Sequence, residues 1–213
     1  MSEPRSIEPR STTERFAAEP RITDVQTLKA FTHPLRMRII EYLNDRDAAT
    51  STTLAKHLGE STGQTSYHLR QLAKYGFVEE VEGMGTARER WWKSEGLNIP
   101  AEEVQSLAQQ SPLVGTLAEH QVRNTAARLL EFFRRIPEEK SEWTSASAIT
   151  QIGTQLTVDE LIALRDEIWD VCEKHTDAAQ KRRDEGETEG RRRVRINFAA
   201  FPLPLEESED PGE

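Results

Sequence analysis

The sequence predicts a mostly helical fold with a small β element, and three observations carry that prediction. Between residues 23 and 75, apolar side chains recur at helical spacing in short runs separated by turn-forming residues. Between residues 77 and 93 the spacing changes to two, with Gly83-Met84-Gly85 between the halves. Beyond Pro100, longer amphipathic runs return. Helices followed by a glycine-tipped ribbon are the plan of a winged helix-turn-helix domain, here continued by a helical and α+β region.

Residues 1–21 hold three prolines and balanced Glu and Arg with almost no apolar content, which predicts a disordered tail. The domain proper is expected over residues 22–98. Its first helix carries Val25, Leu28 and Phe31 on one face, with Thr23 placed to cap it. His33-Pro34 ends that helix and opens the next, because the residue before a proline disfavours helical backbone and a proline suits a first turn. Leu35, Ile39, Ile40 and Leu43 form the inward face of the second helix. Residues 44–47 are turn chemistry. Ser51 or Thr52 then caps a short helix that buries Leu54, Ala55 and Leu58, and Gly59 closes it. Ser61 or Thr62 caps a fourth helix with Leu69 and Leu72 inward, ending at Gly76. Phe77–Val81 and 87–93 read as the two strands of the ribbon.

Residues 99–201 change character. Helices are expected over residues 102–110 and 113–136, the second with a wide apolar face suited to pairing two protomers. Residues 143–156 read as a strand, Thr157 to Glu160 as a capping box opening a helix to about residue 181, and residues 193–201 as a final strand. In that strand Val194, Ile196 and Phe198 would share a face. Residues 202–213 form an acidic tail.

Composition narrows the function classes. The 213 residues carry a formal net charge of -9, 31% charged and 36% hydrophobic residues. No apolar run nears the ~20 residues that span a bilayer, and the first residues lack a signal-peptide core, so a cytoplasmic protein is expected. One cysteine, Cys172, excludes an intrachain disulfide framework, and its place on a helix's apolar face reads as core. There is no glycine-rich phosphate loop, no HExxH and no Gly-x-Ser-x-Gly, so neither an enzyme nor a cofactor is expected. Trp143, Trp169, Phe132 and Phe133 could line an effector pocket but read first as packing. The charge deficit lies wholly in residues 99–213, whereas residues 22–98 balance ten acids with ten bases. A neutral domain grips phosphate weakly, which favours a dimer on double-stranded DNA.

Helix geometry selects the candidate contacts. With Leu69 and Leu72 inward, a turn of 100° per residue points Thr65 inward and puts Tyr67, Arg70 and Lys74 on the opposite face, flanked by Gln64 and Ser66. Gln pairs bidentately with adenine and Arg with guanine, so Gln64, Ser66, Tyr67 and Arg70 are the predicted base readers. Thr62 and Lys74 are predicted to hold phosphates. Arg88 and Arg90 share one face of the ribbon, from which a wing reaches the minor groove or the backbone. His68, beside the Leu69 row, is predicted to pack or to cap rather than to read a base.

The stretches LKAFTHPLRMRIIEYL, TTLAKHLGESTGQTSYHLRQLAKYGFVEEV and RERWW resemble the ArsR-type winged helix-turn-helix regulators of bacteria, over about residues 25–93. The resemblance implies a homodimeric transcription factor, usually a repressor released from its operator by a ligand. The run Ser66-Tyr67-His68-Leu69-Arg70 matches the centre of that family's recognition helix. Metal sensing is not implied: residues 52–58 hold no cysteine, and His120 and His175 stand apart. Any effector is therefore a non-metal one of unknown identity. A protein-interaction module that has lost DNA binding is the competing expectation, supported by the neutral domain.

Overall fold

The computed structural model describes residues 20–84, 89–97, 99 and 101–204, with the side chains of 101 and 102 excepted. Helix α1 (Val25–Phe31) starts at Asp24, whose carboxylate accepts from the Thr27 amide at 2.8 Å; the cap is thus one residue later than the expected Thr23. Helix α2 (Pro34–Asn44) is capped by His33, whose Nδ1 accepts from the Leu35 amide at 3.2 Å, with the proline in the first turn. Helix α3 (Ser51–Leu58) is capped by Thr50 rather than Ser51 or Thr52. It ends at Gly59, whose φ of 71° suits a residue without Cβ. Helix α4 (Thr62–Lys74) follows after three residues.

Three strands complete the domain in the order β1-β3-β2, all antiparallel. Strand β1 (Ala49–Thr50) pairs Ala49 with Trp92 and Thr50 with Trp91. Strand β2 (Val78–Glu80) pairs Val78 with Ser94 and Glu80 with Trp92 on β3 (Trp91–Ser94). Trp92 faces the core and Trp91 is half-buried, as a period of two requires. Leu28, Ile39, Leu43, Leu54, Leu69, Leu72 and Phe77 are fully buried at the centre, with Phe31 edge-on to Phe77 at 5.1 Å.

Helices α5 (Ala101–Gln110) and α6 (Leu113–Arg135) add Leu107 and Leu117 to the same core. Beyond Leu117, α6 meets the domain through polar pairs: His120 Nε2 lies 2.7 Å from Glu41, and an Arg128 amino group lies 2.6 Å from Asp45. A 3-10 turn (Ile136–Glu138) and α7 (Ser141–Ala146) follow.

The chain divides between Ser147 and Ala148 into two units. The second contains α8 (Val158–Asp184), opened by the expected capping box in which Thr157 and Glu160 serve each other's backbone amides. Its described residues include no strand, which corrects both strand expectations and with them the α+β reading of this region. Trp143 lies inside α7, and the backbone from Ser147 to Leu156 is irregular. Residues 193–201 alternate in sequence, but none of them is in a strand among the described residues, and Val194 and Ile196 are 66% and 60% exposed. Alternation marks which side chains share a face; a strand also needs a neighbour for its backbone. Among the described residues no helix is long and apolar enough to cross a membrane.

Candidate nucleic-acid interface

Helix α4 is seated by two hydroxyls. Ser61 Oγ accepts from the Gln64 amide at 3.2 Å, and Gln64 Oε1 accepts from the Ser61 amide at 3.2 Å, closing a capping box. Thr65, with no exposed surface, sends its hydroxyl to the Ser51 carbonyl at 2.9 Å, within reach also of the Ser61 and Thr62 carbonyls. A buried hydroxyl without a partner is costly, so this bond sets how α4 crosses α3. Arg38 closes the far end of α3 by donating to the Leu58 carbonyl at 2.7 Å and approaching Glu60 at 3.5 Å.

His68 anchors the next turn. It is buried, packs against the His33 ring at a centroid distance of 4.4 Å with the planes tilted by 36°, and accepts at Nδ1 from Arg36 Nε at 3.3 Å. Arg36 also donates to the Ala30 carbonyl, so one guanidinium ties α1, α2 and α4 together. Burial lowers the His68 pKa below the ordinary imidazole value of 6.5, and the neighbouring His33 and Arg36 lower it further against a raising effect of Glu60. The imidazole is therefore held neutral, as an acceptor toward Arg36. Packing of His68 was legible in the sequence. The capping His33 was not, because histidine is an uncommon cap, and the tie through Arg36 was not, because it depends on a contact across helices.

The opposite face of α4 is open. Thr62, Gln64, Tyr67, Arg70 and Lys74 are exposed and Ser66 is half-buried, so the predicted contacts lie on one side. Tyr67 is 50% exposed. Arg70 Nε donates to the Ser66 carbonyl at 3.2 Å, which aims the side chain along the helix with its terminal amino groups outward. Lys74 lies over the Tyr75 ring at 5.7 Å. Gln64 differs from the rest, because its carboxamide oxygen is engaged by Ser61 at both the amide and the hydroxyl. Reading adenine with both ends of that amide requires opening the cap.

The ribbon has a different character. Arg90 pairs with Glu80 at 3.1 Å, and Lys93 sits between Glu79 at 2.9 Å and Glu95 at 2.8 Å. The hydrogen bond that Lys93 donates to Glu95, then the one it donates to Glu79, raises the Lys93 pKa, and Lys93 lowers that of Glu79 in return. Arg88, the second predicted wing contact, lies outside the described residues. The neutral sum of the domain is thus an average over two unlike parts. Residues 51–76 carry Lys56, Arg70 and Lys74 against Glu60 alone, whereas residues 77–97 carry Glu79, Glu80, Glu82, Glu89 and Glu95 against Arg88, Arg90 and Lys93. Among the described residues no group of three or more His, Cys, Asp or Glu is placed to hold a metal ion.

Residues 31–81 match the helix-turn-helix domain family. The helix-turn-helix so matched runs from the end of α1 to the start of the ribbon and contains all of α4. No curated protein matches the chain. Among solved structures, a fragment of a possible transcriptional regulatory protein from Mycobacterium bovis is 20% identical, covers 45% of this chain and 90% of its own, and has a TM-score of 0.31. NolR from Sinorhizobium fredii is 21% identical over 50% of this chain and 96% of its own, at a TM-score of 0.30. The adhesin competence repressor AdcR from Streptococcus pyogenes is 14% identical over 64% and 80%, at 0.31.

Proposed function

We propose that this protein is a sequence-specific DNA-binding transcriptional regulator of ArsR-like type, acting as a homodimeric repressor that answers a non-metal signal. The observation that carries the reading is the outer face of α4. It presents Tyr67, Arg70 and Lys74 without a single carboxylate on the helix, on a backbone locked from behind by Thr65 and His68. A rigid helix with an acid-free polar face can enter the major groove with its N-terminal half foremost. Arg70 then reads a base edge, Tyr67 and Ser66 fill the groove beside it, and Thr62 and Lys74 hold flanking phosphates. Gln64 either caps the helix or reads adenine, and the two uses exclude each other.

A second reading has its own support. The ribbon's described cations are paired with carboxylates, as a surface for a protein partner would have them. A winged-helix interaction module needs no groove-reading helix.

Selection of binding sites from a random duplex pool separates the two. The regulator reading expects an enriched near-palindrome whose half-sites lie about one helical turn, ~34 Å, apart. Absence of any enriched motif at low salt would leave the interaction module.

A further inference from the structure

The carboxamide of Gln64 is held so that one chemical face remains to it. Its Oε1 accepts from the Ser61 amide at 3.2 Å and from the Ser61 hydroxyl at 2.9 Å. Chemistry fixes which way the carboxamide lies, since the Ser61 N–H only donates and must therefore meet the oxygen. The Nε2 amino group is turned away from the cap, on a residue that is exposed. Gln64 stands in the first turn of α4, the end that enters a major groove foremost.

We infer that Gln64 reads DNA with the cap closed, as a donor only, and so selects guanine. Guanine presents acceptors at both O6 and N7 in the major groove. Adenine sets its N6 amino group beside N7, where a donor-only amide meets another donor. Cytosine offers its N4 amino group, and thymine a single O4 beside its methyl. Pairing with both edge atoms of adenine needs Oε1, which already accepts two bonds from Ser61. Opening the box would surrender those two bonds to gain one, and would leave the Ser61 amide without its partner. A capped side chain also reaches less far, and Gly63 answers that. It lies in the helix and is not among the glycines of positive φ, so its backbone does not call for glycine. Beyond its chain neighbours and the helix backbone, a Cβ there would come no nearer any atom than 4.0 Å, at Ser61 Oγ. Glycine costs a helix stability relative to alanine, and close approach of the first turn to DNA is the use that offsets it.

The inference rests on the DNA-binding reading and names the base that one of its readers selects, so the experiment must separate the two. Selection from a random duplex pool is run on the 213-residue chain and on its Gln64→Glu and Ser61→Gly variants, with helix content checked for each. Glutamate keeps the box, since its carboxylate serves the Ser61 amide, but it turns an acceptor outward in place of the donor. One position of the parent's site is expected to hold guanine over adenine by at least about fivefold, and to change to cytosine in Gln64→Glu. Ser61→Gly retains a tolerated cap residue and removes the hydroxyl that helps to hold Oε1. The same position should then drift toward adenine. Gly63→Ala should melt at a higher temperature yet bind the parent's site about threefold or more weakly. Binding as tight as the parent's would overturn the close approach. An enriched site that Gln64→Glu leaves unchanged at every position overturns the inference and leaves the regulator standing. Adenine at the position that Gln64→Glu alters does the same, because the cap would then open on DNA. A parent that enriches no motif overturns the DNA-binding reading and this one with it.

Discussion

At the scale of residues, the outer and inner faces of α4 do different work and respond to different perturbations. Arg70 has its Nε committed to Ser66 and its terminal amino groups outward, so removing it deletes a recognition fork and little stability. Arg70→Ala is expected to cost about 1–3 kcal/mol in binding and to relax one position of the selected site, read by repeating the selection with the variant. An equal loss on every sequence would reassign Arg70 to the phosphates. His68 works from behind. Its folded-state pKa lies below the ordinary 6.5, so between the two values the unfolded chain binds a proton that the folded chain refuses. Stability is therefore complete above about pH 6.5 and falls as the pH drops toward the folded value. Urea midpoints between pH 5 and 7.5 should decline on the acid side, and His68→Gln should flatten that decline.

At the scale of elements, the helices were legible where the chain signals its own boundaries. Thr157 with Glu160 is a capping box in sequence and in structure, and of the two caps the sequence offers for α4 the structure uses Ser61, closed into a box by Gln64. Two caps lie a residue or two from the expected ones, Asp24 for Thr23 and Thr50 for Ser51 or Thr52, and the misread strands fall where a boundary depends on distant chain. Strand β1 has two residues, too few to show any period, and it exists because Ala49 and Thr50 pair with Trp92 and Trp91 some forty residues on. Residues 193–201 show the converse, a period of two with no partner strand among the described residues. The candidate face of α4 was derivable from Leu69 and Leu72 alone, whereas the engagement of Gln64 and the pairing of Arg90 are matters of side-chain geometry.

The ribbon carries the prediction that belongs to this scale. Its described cations, Arg90 and Lys93, are held by carboxylates of the ribbon, so these two contribute little to phosphate affinity as they stand. Replacing Glu79 and Glu80 by Gln would release Lys93 from one of its two partners and Arg90 from its pair. That double variant should bind non-specific duplex more tightly at low salt, with a steeper loss as salt rises. The preferred site should not change, because neither strand residue reads a base. A fluorescence-anisotropy titration on random-sequence duplex measures the first effect, and repeated selection the second.

At the scale of the whole molecule, charge and burial are both unevenly distributed. The -9 net charge resides beyond residue 98, and the second unit's described side chains include none that is buried. Neither feature strengthens a grip on DNA, so affinity must come from few cations used well. On the first unit those are Lys56, Arg70 and Lys74, on or beside the helix that would enter the groove. With Arg70 on a base edge, Lys56 and Lys74 of two protomers would neutralise about four phosphates, and counterion release sets the slope of log K against log salt near -0.9 per phosphate, about -4 for the dimer. A slope of that size predicts a complex that tolerates moderate salt but begins from modest affinity, with specificity resting on base contacts. Measuring binding of the selected duplex across roughly 50–300 mM salt tests the count directly. Removing Lys74 in both protomers should flatten the slope by about 2, one phosphate from each. A slope steeper than about -8 would require cations beyond these four, which only the ribbon or the arginine-rich segments outside the helix-turn-helix could supply.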